Sequence, residues 1–321
     1  MSVLVLAGGL SPERDVSLRS GRRVADALRG NGFDVVERDV DAALLASLRS
    51  DRPDCVVPVM HGAAGEDGAI REVLECLGLP YVGSTPEACR LAFDKPVAKT
   101  LVRRAGIATP DFIALPQSTF RELGAPAVIE ALVGRLGLPL VAKPTRGGSA
   151  LGTSVVRTAE ELPAAMVGAF AYGDVVLVER FVTGVEVAVS VVEDDDGPRA
   201  LPAVEIVPDG GFYDYNARYI AGQTEFFVPA RLPEDALSAA ADVAVLAHRV
   251  LGLRDWSRSD LIVDAAGTAW FLEVNAAPGM TETSLLPQSV SAAGGDVGSV
   301  LGALVERARA RRSGDSGTMG S

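Results

Sequence analysis

The sequence predicts an α/β protein: a parallel sheet with covering helices in the first third, then two mixed α+β units. Three observations carry this. Short apolar runs alternate with amphipathic stretches through the first third, the pattern of a parallel sheet covered on both faces. The Gly-rich segments GGLSPER and HGAAGEDG follow apolar runs, at the strand ends where open α/β sheets place ligands. Further on, TRGGSALG lies between two strand-like runs, so the order is strand, loop, strand rather than strand, loop, helix. A length of 321 residues suits two or three domains.

Taken in order, residues 3–7 read as a buried strand. A helix begins at about Ser17, with Val24 and Leu28 inward and Gly30 near its end. Val35 and Val36 belong to a second strand, residues 55–59 form a third, and residues 70–77 form a helix stopped by Gly78. After Phe93 a helix ends near Gly106. The Thr109-Pro110 turn follows, then a strand at 112–115, a polar connection, a helix at 128–136 and strands at 140–143 and 153–156. Strands are expected at 175–179, 185–192 and 203–207, followed by a long polar-aromatic segment, 208–229. A helix over 234–251 places Leu237, Ala241, Ala244 and Val245 inside and His248 on its exposed side. Residues 259–263 and 270–274 form a hairpin over Asp264-Ala265-Ala266-Gly267. The last helix ends near Arg312, and the polar tail beyond it is expected to be disordered.

Composition removes several classes of function. Lys and Arg number 30 against 42 Asp and Glu, a formal net charge of −12. Such an excess opposes a general nucleic-acid or anionic-membrane surface while leaving room for a local phosphate site. No apolar run approaches the ~18–20 residues of a membrane span, and the N-terminus lacks the pattern of a signal peptide. Cys55, Cys76 and Cys89 have neither metal-ligand spacing nor an even count for disulfides. A cytoplasmic protein with reduced thiols is expected, with no internal repeat.

Asp260, Glu273 and Asn275 are the first candidates for chemistry. The hairpin sets Asp260 beside Glu273, and residues 273 and 275, two apart on a strand, share a face. Three oxygen donors on one face suit a hard cation shared with phosphates; a solvated acidic sheet edge is the competing reading. TRGGSALGT offers backbone N–H groups that can close over phosphates, since glycine permits the required dihedrals. It lacks the GK[ST] of a Walker A loop, and a plain turn competes. Lys143 ends an apolar strand (LVAK), which is costly unless its ammonium meets an anion. Lys95 precedes the same loop on a separate element.

With these residues in view, a resemblance becomes specific. GGLSPERDVSLRSG, MHGAAGEDGAIREVLECLGLPYVGS, KPTRGGSALGTS, VERFVTGVEV, FYDYNARY and LEVNAAPGMT resemble, in order, the D-alanine–D-alanine ligase family of ATP-grasp carboxylate–amine ligases. The likeness runs from about Val3 to about Ala310. It implies the ATP-grasp fold, with an N-terminal parallel α/β domain (1–93) and central (94–180) and C-terminal (181–311) α+β domains enclosing ATP, and a disordered tail at 312–321. It implies Lys95 and Lys143 on phosphates, Glu179 with the Phe181-Val182 backbone on adenine, and Glu186 on ribose. Phe212, Ile262 and Leu272 would line the base pocket, with plain core packing as the alternative. Asp260, Glu273 and Asn275 would bind two Mg²⁺ ions, with Mn²⁺ as a substitute.

The resemblance also implies the substrate side. Glu13 would take the ammonium of the first amino acid, joined by Ser149 and Tyr219 in a hydrogen-bonded triad. Arg258 and the Gly279 N–H would stabilise the oxyanion, and Ser284 with the Leu285 N–H would take the second carboxylate. Surface pairing of Arg258 and simple helix capping by Ser284 are the alternatives. His61 would assist proton removal or orient the second amine, unless it is a structural loop histidine. The implied activity is ligation of two D-alanines through an acyl phosphate for peptidoglycan, in a homodimer acting on small amino acids, with no nucleic-acid or membrane partner. The chain departs from the family in Arg218, which would contact the ATP phosphates where lysine is usual, in Gly147, where glutamate is common, and in Ala276-Ala277 before Pro278. The FYDY…Tyr219 segment favours an amine nucleophile. An amino-acid ligase of secondary metabolism and a non-catalytic ATP sensor remain as rivals. A dinucleotide dehydrogenase lacks its G-x-G-x-x-G here.

Overall fold

A computed structural model of the chain describes residues 1–213, 217, 218, 220 and 222–315, with side chains up to Arg311. Three sheets are present among the described residues. The first is parallel, order β2-β1-β3, from β1 (Ser2–Ala7), β2 (Asp34–Asp39) and β3 (Cys55–Pro58). Residues 3–6 and 55–58 are buried throughout, as a strand covered on both faces requires. One cover is the helix Arg14–Gly30, which buries Val24, Ala25 and Leu28. It starts three residues before Ser17, because the Glu13 carbonyl already accepts the Ser17 N–H at 3.0 Å. A Cβ on Gly21 would sit 2.5 Å from the Ala7 Cβ, so a bare glycine lets this helix lie flush on β1.

The second sheet is antiparallel, order β4-β7-β5-β6, from β4 (Phe112–Pro116), β5 (Leu140–Pro144), β6 (Ser154–Val156) and β7 (Val175–Arg180). Leu132, Leu162 and Ala169 close its core from the helices Ala125–Leu136 and Leu162–Phe170. The expected polar connection contains a further helix, Gln117–Leu123. Its buried anchor is Phe120, edge-on to Phe170 at 5.9 Å. A single anchor in a polar stretch gives no helical period, so tertiary contact decides it.

The third sheet runs β11-β10-β8-β12-β13, with β9 also on β8. Its strands are β8 (Val185–Asp194), β9 (Gly197–Ala200), β10 (Val204–Pro208), β11 (Thr224–Phe227), β12 (Trp256–Val263) and β13 (Ala269–Asn275). β11 lies inside the polar-aromatic segment, where alternation was too weak to reveal it. The helix Glu234–Val250 packs through Ala236, Ala240, Ala244, Ala247 and His248. Leu237, Ala241 and Val245 are only half-buried, so the inward face is rotated from the expected one. His248 is therefore not a surface residue: it is fully buried, 2.7 Å from Ser257 Oγ and 3.4 Å from Glu193 Oε1. The physical reason is the alanine ridge, which packs closer to the sheet than leucine allows and turns position 248 inward with it.

The connections cross between these units. Helices Pro86–Phe93 and Lys95–Arg104 bury Ala88, Cys89, Ala92, Ala98 and Val102 against the third sheet. The last helix, Val297–Asp315, continues past the expected end near Arg312 and packs Leu301, Leu304 and Val305 against the first sheet. Residues 316–321 of the expected tail lie outside the described residues.

Candidate active site

The second and third sheets face one another across a cavity of about 500 Å³. Lys143 reaches it from the end of β5, Glu179 from β7, Glu186 from β8, Ile262 and Asp260 from β12, and Leu272 and Glu273 from β13. Lys95 enters from the first turn of its helix, whose N-cap, Asp94, accepts the Val97 N–H. Phe181, Val182, Phe212 and Arg218 complete the set, so the ten residues expected on the nucleotide side all line one cavity. Phe212, Ile262 and Leu272 are half-buried with faces in the cavity, not sealed core. One wall is thus apolar and the other charged.

The charged wall is a row of ion pairs. Lys143 Nζ is 2.5 Å from Glu179 Oε1, and Lys99 Nζ is 2.8 Å from Glu179 Oε2. Lys95 Nζ donates to the Gly147 carbonyl at 2.7 Å and lies 3.2 Å from Glu273 Oε2. Burial pulls the Glu273 carboxyl upward, but Lys95, Lys143 and Arg218 together bring it down to about 2. Burial opposes the charge on Lys143 too, and Glu179 and Glu273 overcome it, leaving that ammonium above its ordinary value. Lys99 is dominated by burial and falls to about 8. For Glu186 burial outweighs the opposing pull of Arg218, and the carboxyl rises to about 7. A wall presenting Lys95, Lys143 and Arg218 beside a Gly-rich loop, with Lys99 buried behind Glu179, is suited to a polyphosphate.

The expected cation ligands stand on adjacent strands. Asp260 pairs in register with Glu273, and Arg258 with Asn275. Arg258 donates to both Asp260 oxygens at 2.7 and 3.0 Å, and Asn275 Oδ1 accepts the Ala277 N–H at 2.7 Å. Among the described residues no three of His, Cys, Asp and Glu converge as a metal cluster. The set nevertheless fits a hard divalent cation shared with phosphate: its donors are carboxylate and amide oxygens, and Glu273 is held ionised.

A smaller cavity of about 90 Å³ adjoins the first and shares Gly148, Tyr213 and Arg218 with it. Glu13, His61, Ser149, Arg258, Asn275, Gly279, Ser284 and Leu285 line it. Glu13 and Ser149, far apart in sequence, meet here: Ser149 Oγ donates to Glu13 Oε1. Ser149 and Ala150 have φ of 55° and 54°, a left-handed pair that aims the Gly-rich loop at Glu13. Tyr219, the expected third member, lies outside the described residues. Ser284 makes no side-chain cap bond to its helix, Leu285–Ala292; its Oγ instead accepts the Thr281 N–H at 2.9 Å. A Cβ on Gly279 would come within 2.8 Å of that Oγ, so a side chain there would push the Ser284 hydroxyl aside. Arg258 is nearly buried, and Asp260 holds its guanidinium above the ordinary value against the opposing effect of burial.

Three residues here were not singled out from the sequence. Glu66 is buried, accepts the Gly62 N–H at 2.9 Å, and is pushed up to about 8, first by burial and then by Glu13. Its signal was its place in HGAAGEDG, but nothing local marks burial. Lys99 lies one helical turn after Lys95, a spacing the sequence does offer. Tyr213 stacks under the Arg218 guanidinium at 4.2 Å. His61 falls to about 4 through burial.

Comparison with known proteins gives a single picture. The family model described as "D-ala D-ala ligase C-terminus" matches residues 101–306, and that described as "D-ala D-ala ligase N-terminus" matches residues 42–84. A D-alanine–D-alanine ligase of Anaeromyxobacter sp. is 45% identical over 294 residues, covering 91% of this chain and 92% of the relative. One from Moorella thermoacetica is 40% identical over 308 residues, covering 96% and 99%. Among solved structures, the VanG D-Ala:D-Ser ligase of Enterococcus faecalis superposes with a TM-score of 0.82 at 29% identity, covering 96% and 99%. A D-alanine–D-alanine ligase of Bacillus anthracis complexed with ATP gives 0.81 at 28%, covering 98% and 99%.

Proposed function

The chain belongs to the D-alanine–D-alanine ligase family, and we propose that it joins two molecules of D-alanine into D-alanyl-D-alanine, with cleavage of ATP, for peptidoglycan synthesis. The observation that carries this is the junction of the two cavities, where a nucleotide-sized, lysine-lined space opens beside a small one holding Glu13, Arg258 and Ser284. A carboxylate is a poor acceptor for an amine. Its oxygen therefore attacks the γ-phosphorus of ATP, ADP leaves, and the acyl phosphate that results is open to attack by the second amine, with loss of phosphate.

Each residue has a part in that sequence. Lys95, Lys143 and Arg218 hold the phosphates, where transferring charge is stabilised by fixed cations. Glu179 and the Phe181-Val182 backbone read adenine, Glu186 binds ribose, and Phe212, Ile262 and Leu272 cover the base. Asp260, Glu273 and Asn275 would hold Mg²⁺, or Mn²⁺ in its place, which when bound neutralises phosphate charge. Glu13, fastened by Ser149, takes the first ammonium, and Tyr219 belongs to the same triad. Ser284 and the Leu285 N–H take the second carboxylate. Arg258 and the Gly279 N–H face the oxyanion of the tetrahedral intermediate. We place the protein in the cytoplasm as a homodimer, with domains at 1–93, 94–180 and 181–311.

The test is phosphate release from ATP and Mg²⁺ against single D- and L-amino acids and their pairs, with the dipeptide identified by mass. D-alanine alone should suffice. D-serine belongs in the panel, given the structural likeness to a D-Ala:D-Ser ligase. Release only with another pair would leave the ligase chemistry and change the product. ATP binding without any release would point to a sensor. Glu273→Gln should abolish metal-dependent turnover while leaving the circular dichroism spectrum unchanged.

A further inference from the structure

Ser20 sits on the helix Arg14–Gly30 with no exposed surface. Its Oγ accepts the Met280 N–H at 3.2 Å and lies 3.1 Å from His61 Nε2. Three segments meet at this one hydroxyl: the first helix, the loop after β3, and the turn after β13 that carries Gly279. One turn earlier Ser17 does similar work, accepting the Gly8 N–H at 2.8 Å and donating to the Val59 carbonyl at 2.8 Å. The close approach at Gly21 sets the depth of both serines.

The donor and acceptor capacities of these groups limit where the protons can lie. Ser20 Oγ accepts from Met280 and keeps one O–H and one lone pair, so it can meet His61 Nε2 as donor or as acceptor. The ring's other neighbour is the Ala277 backbone, which favours the charged ring against burial, as a carbonyl oxygen does and an N–H does not. With Nδ1 donating to that carbonyl, a neutral ring leaves Nε2 to accept from Ser20. In that arrangement both ring nitrogens are committed within the protein, and burial favours the neutral ring. Neither nitrogen is left to remove a proton from a substrate amine.

We propose that Ser20 is a positioning residue that, through the Met280 N–H and His61 Nε2, fixes the turn whose Gly279 N–H faces the oxyanion, with His61 as a second clamp on that turn through Ala277 rather than a base. This rests on the ligase reading for its catalytic consequence; the hydrogen-bond relay itself does not. The chain has only two histidines, so ¹⁵N NMR of the full-length protein at neutral pH, with His61 assigned by His61→Gln, reads the tautomer directly. An Nδ1–H ring at His61 is expected, and an Nε2–H ring would overturn the relay. Ser20→Ala should lower kcat about tenfold or more with the KM for ATP within about twofold, and Ser20→Thr, which keeps the hydroxyl, should recover part of the loss. Wild-type kcat in Ser20→Ala would overturn the positioning role. A wild-type protein that makes no dipeptide would instead refute the ligase reading and leave the NMR result to decide the relay. Should the substituted proteins fail to fold, the wild-type tautomer still decides it.

Discussion

Glu66 and His61 occupy the same small cavity and are pushed in opposite senses by the same cause. Burial disfavours charge, so the carboxyl rises to about 8 and the imidazole falls to about 4. For Glu66 the folded value lies above the unfolded carboxyl value of 4.5. Its contribution to stability is therefore complete below 4.5 and is lost as pH rises through 8. For His61 the folded value lies below the unfolded 6.5. That contribution is complete above 6.5 and is lost as pH falls through 4. Glu66→Gln should flatten the fall in stability between pH 4.5 and 8, by roughly a few kcal/mol across that window; a profile identical to wild type would refute the buried, protonated carboxyl. Lys99 gives a second prediction at this scale. It is fully buried against Glu179, so Lys99→Met should cost roughly 3–5 kcal/mol of stability by leaving that carboxylate with Lys143 alone, and should raise the KM for ATP more than it lowers kcat. Urea denaturation and ATP titration read the two effects separately.

Among the elements, the first helix and the β12–β13 hairpin do most of the positioning. Gly21 lets the helix lie on β1, and a methyl there would meet the Ala7 side chain at 2.5 Å. Gly21→Ala should destabilise by about 1–3 kcal/mol through overpacking, seen as a lower urea midpoint at unchanged slope. It should also reduce kcat, since Ser17 and Ser20 ride on the same helix. In the hairpin, strand period and register set Asp260 beside Glu273 with Asn275 two residues on. That much was legible from the sequence, because a short turn fixes register and period two fixes the face. The helix Glu234–Val250 was legible in extent but not in orientation. Alanine and leucine score alike as apolar in a pattern, while distance to the sheet favours the alanine ridge, and His248 is buried with it.

At the scale of the molecule, the chain is fastened by contacts between distant segments. Asp255, fully buried at φ 67°, accepts the Gly83 N–H at 2.6 Å and pairs with Arg311 at 2.6 and 2.8 Å. Arg311 also donates to the Tyr81 carbonyl at 3.2 Å. One ion pair thus ties the last helix, the third sheet and the segment after β3 together. Asp255→Ala should lower stability by roughly 3–5 kcal/mol, because it strands a partly buried guanidinium. Asp255→Asn, which tolerates the left-handed backbone and keeps an acceptor for Gly83, should cost less. The difference, measured by chemical denaturation, isolates the charge. A latch that acts only on stability leaves the KM for ATP unchanged in both.

Local chemistry determined what the sequence could state alone: the strand–helix alternation of the first third, the hairpin that pairs Asp260 with Glu273, and the residue types suited to phosphate, cation and oxyanion. Each depends on neighbours a few positions apart, so period, turn residues and charge are enough. Tertiary structure alone decided the rest. The helix Gln117–Leu123, the burial of His248, the raised carboxyl of Glu66, the Lys99–Glu179–Lys143 row and the meeting of Glu13 with Ser149 all join segments distant along the chain. Burial and pairing are properties of what closes over a residue, and a one-dimensional pattern does not contain them.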